Sequence, residues 1–263
     1  MTGYVDDLSL AHVLADTADR ISLGRFRAAN LQVDEKPDLS PVTDADTAVE
    51  KALRATLART RPRDAVFGEE FGATDAPAGP GHRRWVIDPI DGTMNFIRGV
   101  PIWATLIALM EGDQVVVGLV SAPALGRRWW AALGHGAYAG RHVAAATPIR
   151  VSAVARLADA SFCYSSLPSW EEAGRLPAML DIMRRCWRNR AYGDFYGYML
   201  VAEGAVDIMV EPELSLWDLA ALVPIVTEAG GTFTDLGGRP GPGGGSAVAT
   251  NGALHADVLD RLG

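Results

Sequence analysis

Lysine is nearly absent from this chain: Lys36 and Lys51 are the only two in 263 residues. A lysine that grips phosphate is therefore excluded from most of the sequence, and any phosphate must be held by metal ions, backbone amides or arginine. Cysteine is equally scarce. Cys163 and Cys186 stand among apolar or aromatic neighbours, form no zinc-ligand spacing, and are expected as two free thiols rather than a disulfide. A basic start followed by an apolar stretch, the mark of a secretory leader, is missing. The longest apolar run, residues 100–110, falls short of the roughly 20 residues that a spanning helix needs. No membrane role and a cytoplasmic location are the expectations. An excess of positive charge is lacking too. The net charge of −8 argues against a non-specific nucleic-acid binder, which needs a basic face, and suits a metal ion or a cationic substrate.

What is present is an ordinary globular composition, 49% hydrophobic, long enough to bury a full core in one large unit or two intimate halves. Apolar positions at helical spacing predict a first helix over 6–28 and a second from about Asp46 to Thr60. Between them, Lys36 to Asp46 carries two prolines and several short polar residues and reads as a loop. Residues 65–70 read as a strand ending in paired acids, and 72–81 as a Gly/Pro-rich surface loop. Residues 103–110 and 114–121 read as antiparallel strands, with 128–132 and 136–139 continuing the sheet. Beyond about 148 strands and helices alternate: strands at 160–164, 206–210 and 247–250, helices at 176–187, 196–203 and 217–229, the last interrupted by Pro224. The chain is thus expected as one catalytic unit, an α+β half over 1–147 and an α/β half over 148–263, sharing a cleft.

One stretch concentrates chemistry: Trp85-Val86-Ile87-Asp88-Pro89-Ile90-Asp91-Gly92-Thr93-Met94-Asn95-Phe96. An apolar strand end is followed by two carboxylates three residues apart, a stiffening proline, and a glycine that lets a ligand approach the backbone where a new helix begins. That order suits oxygen ligands for a divalent metal beside free helix N–H groups. The plainer reading is an acidic turn with Thr93 as an N-cap. Three further acidic sites, Asp46, Glu69 and Asp218, also follow loops or strand ends or open helices. Each alone would be read as a cap or a solvated acid.

Taken with their surrounding words, these sites resemble the inositol monophosphatase-like family of metal-dependent phosphatases. The matching words are Pro41-Val42-Thr43-Asp44-Ala45-Asp46, Gly68-Glu69-Glu70, Trp85 through Phe96, and Trp217-Asp218 with Glu228-Ala229-Gly230-Gly231 downstream. Four separated motifs in the right order over essentially the whole chain make the resemblance specific. It implies a layered αβαβα sandwich and a homodimer. It implies Glu69, Asp88, Asp91, Asp218 and the Ile90 carbonyl as ligands of Mg²⁺, two or three ions per site, with Mn²⁺ as the alternative. It implies Asp46, Glu69 and Thr93 as the groups orienting the attacking water, and Gly92 and Thr93 as phosphate-binding amides. No cysteine or histidine lies in these words, which agrees with direct attack by water on a small phosphate monoester.

The second half departs from the inositol-type pattern. Arg190-Ala191-Tyr192-Gly193-Asp194-Phe195 stands where many relatives carry small neutral residues, and Glu211 precedes Asp218 by seven positions. Asp91, Asp194, Glu211 and Asp218 would surround the leaving alcohol with acid, matching an ammonium and an imidazole better than a polyol. With Arg127-Arg128-Trp129-Trp130-Ala131-Ala132, these words look similar to the actinobacterial histidinol-phosphate phosphatases of this family. The resemblance therefore implies histidinol phosphate as substrate, with an inositol or other sugar phosphate as the alternative and a non-catalytic binding protein as the remote one. Asp194 has a second reading, an N-cap ahead of Phe195. Met94 replaces a residue that is often lysine or threonine in relatives. Trp129 and Trp130 are candidates for stacking on a substrate ring, with at least one expected in the core. Of Arg184, Arg185, Arg188 and Arg190, the first three are expected on a solvated helix face, leaving Arg190 as a phosphate candidate.

Overall fold

The computed structural model describes residues 4–37, 39–74 and 82–262. Its spine is an eight-stranded sheet, in spatial order Thr147–Pro148, Ala137–Gly140, Arg127–Ala132, Gln114–Ala122, Ala104–Glu111, Arg83–Asp91, Ala65–Gly68 and Gly72–Ala73. Every pairing is antiparallel except that of Ala65–Gly68 with Arg83–Asp91. A second sheet of five strands runs Arg188–Arg190, Ser161–Tyr164, Ile208–Glu211, Ala247–Thr250, Thr232–Thr234.

Side-chain alternation explains how these sheets stack, because successive residues on a strand face opposite ways. On the large sheet Trp85, Ile87, Ile107, Leu109 and Trp130 meet Leu14, Val49, Leu53 and Leu57 of the helices Val5–Arg25 and Asp44–Thr60. Their neighbours Val86, Leu106, Ala108 and Trp129 face the other way. They meet Phe195, Tyr198, Leu219, Leu222 and Ile225 of the helices Asp194–Ala202, Leu216–Ala220 and Leu222–Glu228. One face of the small sheet, with Cys163, Met209 and Ala249, closes that same core from beyond. Its opposite face, Phe162, Ile208, Val210 and Val248, packs on Trp170, Met179, Ile182 and Val258 of the helices Leu167–Glu172, Leu176–Arg185 and His255–Leu262. Helices, sheet, helices, sheet, helices: this is the layered αβαβα sandwich that the family resemblance implied.

Several local readings change. The helix expected over 217–229 is two helices meeting at Ala221. Pro224 has no N–H for the carbonyl four residues back and crowds it, so the helix restarts with Pro224 in its first turn. The joint rests on the bare backbone of Gly118, where a Cβ would fall 2.3 Å from the Ala221 carbonyl oxygen. Arg188 lies not on a helix but on the edge strand Arg188–Arg190, paired in parallel with Ser161–Tyr164. Trp129 and Trp130 are both buried, one on each face. A sheet covered on both sides buries both members of an adjacent pair, so neither ring is left for substrate. Part of the loop expected over Lys36 to Asp46 is the strand Pro41–Thr43, paired with Val33–Glu35. The Gly/Pro-rich loop lies in part outside the described residues. Both cysteines are free thiols, and among the described residues no helix is long and apolar enough to cross a membrane.

His12 is buried under the large sheet with both ring nitrogens unpartnered, its ring edge-on to Trp130 at 4.9 Å between centroids. Burial first, then the nearby Arg128 charge, push its pKa down to about 4, against a smaller upward pull from Asp16. The unfolded chain then binds the proton more readily, so stability contributed by neutral His12 is lost as pH falls from about 6.5 towards 4. His12→Phe removes that acid penalty while filling the space. Its urea unfolding free energy should fall less than that of the parent across this interval, by about 1–2 kcal/mol. Parallel pH profiles for the two proteins would disprove this account.

Candidate active site

The strand Arg83–Asp91 carries the centre of the site. Arg83 anchors its start through Asp7 (2.7 Å), Glu111 (3.1 Å) and Asp64 (3.3 Å). Asp88 pairs with Leu106 and shares the face turned to the middle helices, whereas Asp91 pairs with Ala104, with a register shift between them. On a regular strand, residues three apart face opposite sides. The extra residue of this bulge resets the alternation and turns both carboxylates to one side. Pro89 is accommodated because a bulge has no ladder bond to lose there, and its carbonyl accepts from Thr105 Oγ1 at 2.8 Å.

From the middle layer Asp218 arrives opposite. Carboxylate oxygens of Asp88, Asp91 and Asp218 lie within 4.8 Å of one another. The Asp88 Oδ1 atom is buried without any hydrogen-bond partner. A buried, unpartnered carboxylate oxygen facing two other carboxylates is what an oxygen-seeking divalent cation would satisfy, so these residues fit a metal ion.

Two of the acids are held as helix caps. Asp46 is the third residue of its helix and accepts the Thr43 N–H at 2.9 Å, while Asp218 accepts the Ser215 N–H at 2.7 Å. In each capping box one carboxylate oxygen fixes the side chain and the other remains for the site. The free oxygen of Asp46 lies 3.4 Å from Thr93 Oγ1, which also donates to the Ile90 carbonyl at 3.0 Å. Thr93 is thus the first residue of the helix Thr93–Arg98 and not its N-cap. The cap position is Gly92, in the left-handed conformation at φ 82°.

Glu69 stands beside the trio, where its charge helps to raise the pKa of Asp88 and Asp218. The Lys36 ammonium bridges Glu69 at 2.7 Å and Glu70 at 2.8 Å, a positive charge occupying the acidic rim. The turn bearing Glu69 is clasped by the fully buried Glu50. Glu50 accepts the backbone N–H of Glu70 (2.7 Å) and of Phe71 (3.2 Å) and pairs with Arg54 (2.7 Å). Gly68 makes room for it, since a Cβ there would fall 2.1 Å from Glu50 Oε1.

A cavity of ≈ 150 Å³ opens beside the trio, lined by Asp91, Asp194, Phe195, Tyr198, Glu211 and Asp218 among others. Glu211 ends its strand buried in this wall and accepts the Tyr198 hydroxyl at 2.7 Å. Asp194 is the first residue of its helix and makes no cap bond, the cap position being Gly193. The N-cap reading of Asp194 therefore fails, and its carboxylate instead accepts from Asn95 Nδ2 at 3.1 Å. Arg190 is not brought here. It is exposed, donates to the Asn189 carbonyl, and lines a separate surface hollow with Trp187 and Arg188. Met94 is exposed.

Burial is the main cause of the raised pKa throughout this cluster. It pushes Asp46 up to about 6 and Asp218 and Glu211 up to about 7, and holds Asp88 and Asp91 well above the usual carboxylate range. Mutual repulsion adds to burial, from Glu69 at Asp88 and from Asp194 at Asp91. Burial and repulsion thus disfavour the charged form of these acids, and a bound cation would oppose that preference.

Lys36, Glu50, Asn95 and Tyr198 were not singled out from the sequence for this site. Glu50 left a trace: it falls one helical turn after Asp46 on the apolar face with Val49 and Leu53, where an acid needs a buried partner.

The fold is matched by a solved inositol monophosphatase from Zymomonas mobilis, with a TM-score of 0.86 and 35% identity over 100% of this chain and 99% of that one. A layered sandwich of this kind, with an acidic trio at its central bulge, defines the class of the protein. The model of the inositol monophosphatase family covers residues 7–262, and the chain belongs to that family. Its sequence is 62% identical to a histidinol-phosphatase of Streptomyces coelicolor, over 100% of this chain and 98% of that protein. It is 57% identical to a histidinol-phosphatase of Mycobacterium tuberculosis, over 98% of each. The chain is accordingly a phosphoric monoester hydrolase.

Glu50→Gln tests the clasp around Glu69. One of its two accepting oxygens becomes a donor facing backbone N–H groups, leaving a buried mismatch worth about 1–3 kcal/mol. Chemical denaturation should register that loss, and titration calorimetry should show weaker divalent-ion binding because Glu69 is no longer held. Unchanged stability and ion affinity would rule out the role assigned to Glu50.

Proposed function

We propose that this enzyme hydrolyses L-histidinol phosphate to L-histidinol and phosphate in a Mg²⁺-dependent reaction. The observation that carries the reading is the acid-lined cavity directly beside the Asp88, Asp91 and Asp218 trio. The trio suits a cation that neutralises phosphate, and the second group of acids, Asp194 and Glu211, suits an alcohol bearing positive charge. The names of the two bacterial relatives support the same substrate.

In this reading Asp88, Asp91, Asp218, Glu69 and the Ile90 carbonyl hold the ions, with Mn²⁺ the other candidate. Bound divalent ions would supply charge neutralisation at the phosphate and acidify a water molecule. The protein's own groups do the positioning. Thr93 Oγ1, tied to the Ile90 carbonyl and facing Asp46, offers with Asp46 a pair of polar atoms to orient the attacking water. Glu69 is the third member of that set. Gly92 and Thr93, at the first turn of a helix, present backbone N–H groups that lack intrahelical partners and suit a phosphate oxygen. Asp194 and Glu211 face the alcohol, where each charge-assisted hydrogen bond contributes about 1.5–3 kcal/mol.

The first half of the chain, 1–147, then supplies metal and phosphate binding, and 148–263 supplies Asp218 and alcohol recognition. A cytoplasmic homodimer acting on a small phosphate monoester completes the proposal.

Asp88→Asn and Asp91→Asn should each reduce phosphate release by about a hundredfold or more while circular dichroism stays that of the parent. Near-parental turnover in either variant would refute the metal-ligand assignment. Separately, kcat/KM measured with Mg²⁺ should be higher for L-histidinol phosphate than for inositol 1-phosphate. The reverse order would overturn the substrate.

A further inference from the structure

Asn95 lies inside the word Trp85 through Phe96 but carries no assigned role and is absent from the cavity lining, yet this side chain joins the two halves of the site. Its Nδ2 atom lies 2.9 Å from the Ile102 carbonyl oxygen and 3.1 Å from Asp194 Oδ2. A carbonyl can only accept, so the amide NH₂ must face Ile102, and its second hydrogen then faces Asp194. Both donors of one amide are committed, one to a loop of the first half and one to a carboxylate of the second.

Asp194 is held in an unusual backbone state. Its φ is 46°, and among the described residues only Arg27 and Leu39 share a positive φ without being glycine. A side chain in that region costs free energy that surrounding contacts must offset. Two contacts do so here: the Asn95 bond to its carboxylate, and the next residue's N–H, which Phe195 donates to Asp91 Oδ2 at 2.8 Å. Gly92 completes the arrangement. A Cβ on Gly92 would fall 3.2 Å from Asp194 Oδ2 and 3.1 Å from the Ile102 carbonyl, so the bare backbone is what lets the carboxylate approach.

We propose that Asn95 is the positioning residue for alcohol selectivity: it aims the Asp194 carboxylate at the positive charge of the substrate's alcohol. This rests on the functional reading above. It assigns Asn95 no contact with substrate or metal, and makes the segment Asp91-Gly92-Thr93-Met94-Asn95 serve two ends. Asp91 faces the ions, and Asn95, one helical turn on, fixes the group that reads the leaving alcohol.

The test is steady-state kinetics with L-histidinol phosphate and Mg²⁺ for the parent, Asn95→Ala, Asp194→Asn and the double variant, with inhibition by inorganic phosphate as a control blind to the alcohol. Asp194→Asn removes the charge while an amide oxygen can still accept from Asn95. Asn95→Ala should raise KM about three- to tenfold, leave kcat within about twofold, and leave phosphate inhibition unchanged. Asp194→Asn should raise KM about tenfold or more, and adding Asn95→Ala to it should change little further, because without the charge there is nothing to aim. Asn95→Ser, too short to span both oxygens, gives the same pattern should the alanine variant not fold. A parental KM in the Asn95 variants, or equal effects of Asn95→Ala with and without Asp194, overturns the inference. So does a joint fall of kcat and phosphate inhibition, which would place Asn95 in the phosphate machinery. A parent enzyme that prefers inositol 1-phosphate sinks the functional reading itself and this inference with it. A parent that prefers L-histidinol phosphate while Asn95 proves neutral sinks this inference alone.

Discussion

Repulsion among closely packed carboxylates, one buried and two half-buried, is the constraint on which this structure turns. Asp88, Asp91 and Asp218 bring oxygens within 4.8 Å of one another in a site that burial makes hostile to negative charge. Left to itself such a cluster protonates or opens. The fold keeps it closed by fixing every approach route. A bulge sets two of the acids on one side of the strand, and Thr105 ties down the bulge carbonyl. A capping box fixes Asp218, and the αβαβα stacking presses the Asp218 helix onto that strand. The stability given up at the trio is what makes a divalent cation the natural occupant.

The same atoms serve folding and chemistry. Asp46 and Asp218 each spend one oxygen satisfying a helix-start N–H and keep the other for the site. An aspartate in a capping box has its rotamer fixed by the backbone, so no extra packing is needed to aim it. Glu50 works the same way one step removed. It reaches no part of the trio, yet two backbone N–H groups of the turn carrying Glu69 end on its carboxylate.

Much of this was legible in the sequence, and the reason differs by level. Helical spacing and apolar runs showed most of the individual helices and strands, whereas the layered stacking came from the family resemblance. Strands covered on both faces read as continuous apolar runs, which do not say what lies on either side. Asp88, Asp91, Asp218, Asp46 and Glu69 stood out because short polar words after strands mark where side chains project. What stayed hidden depended on contacts between distant segments. A strand bulge leaves no composition signal, so the sequence showed two acids in a turn where the chain forms a continuous strand. Arg188 looked helical because a three-residue edge strand is too short to show alternation. Lys36 was discounted with the general scarcity of lysine, although it lies against Glu69 and Glu70. Asn95 and Tyr198 bond to partners 99 and 13 residues away respectively, and nothing local marks such a partner.

The way the two halves meet also bears on how such a site can change its substrate. The segment leading into the helix Asp194–Ala202 reaches Asp91 through the Phe195 backbone N–H, a group every residue but proline supplies. This backbone bond to the trio therefore does not depend on which side chains occupy 190–195, although the Asp194 charge adds to the repulsion at Asp91. The exposed and half-buried side chains of that segment, the acid at 194 among them, can differ while Asp88 and Asp91 stay where the bulge puts them. The constraint runs the other way for Gly92, whose bare backbone is needed both at the helix start and against Asp194. In the proposed reading, backbone geometry in the first half fixes the chemistry, and side chains that hang from it carry selectivity.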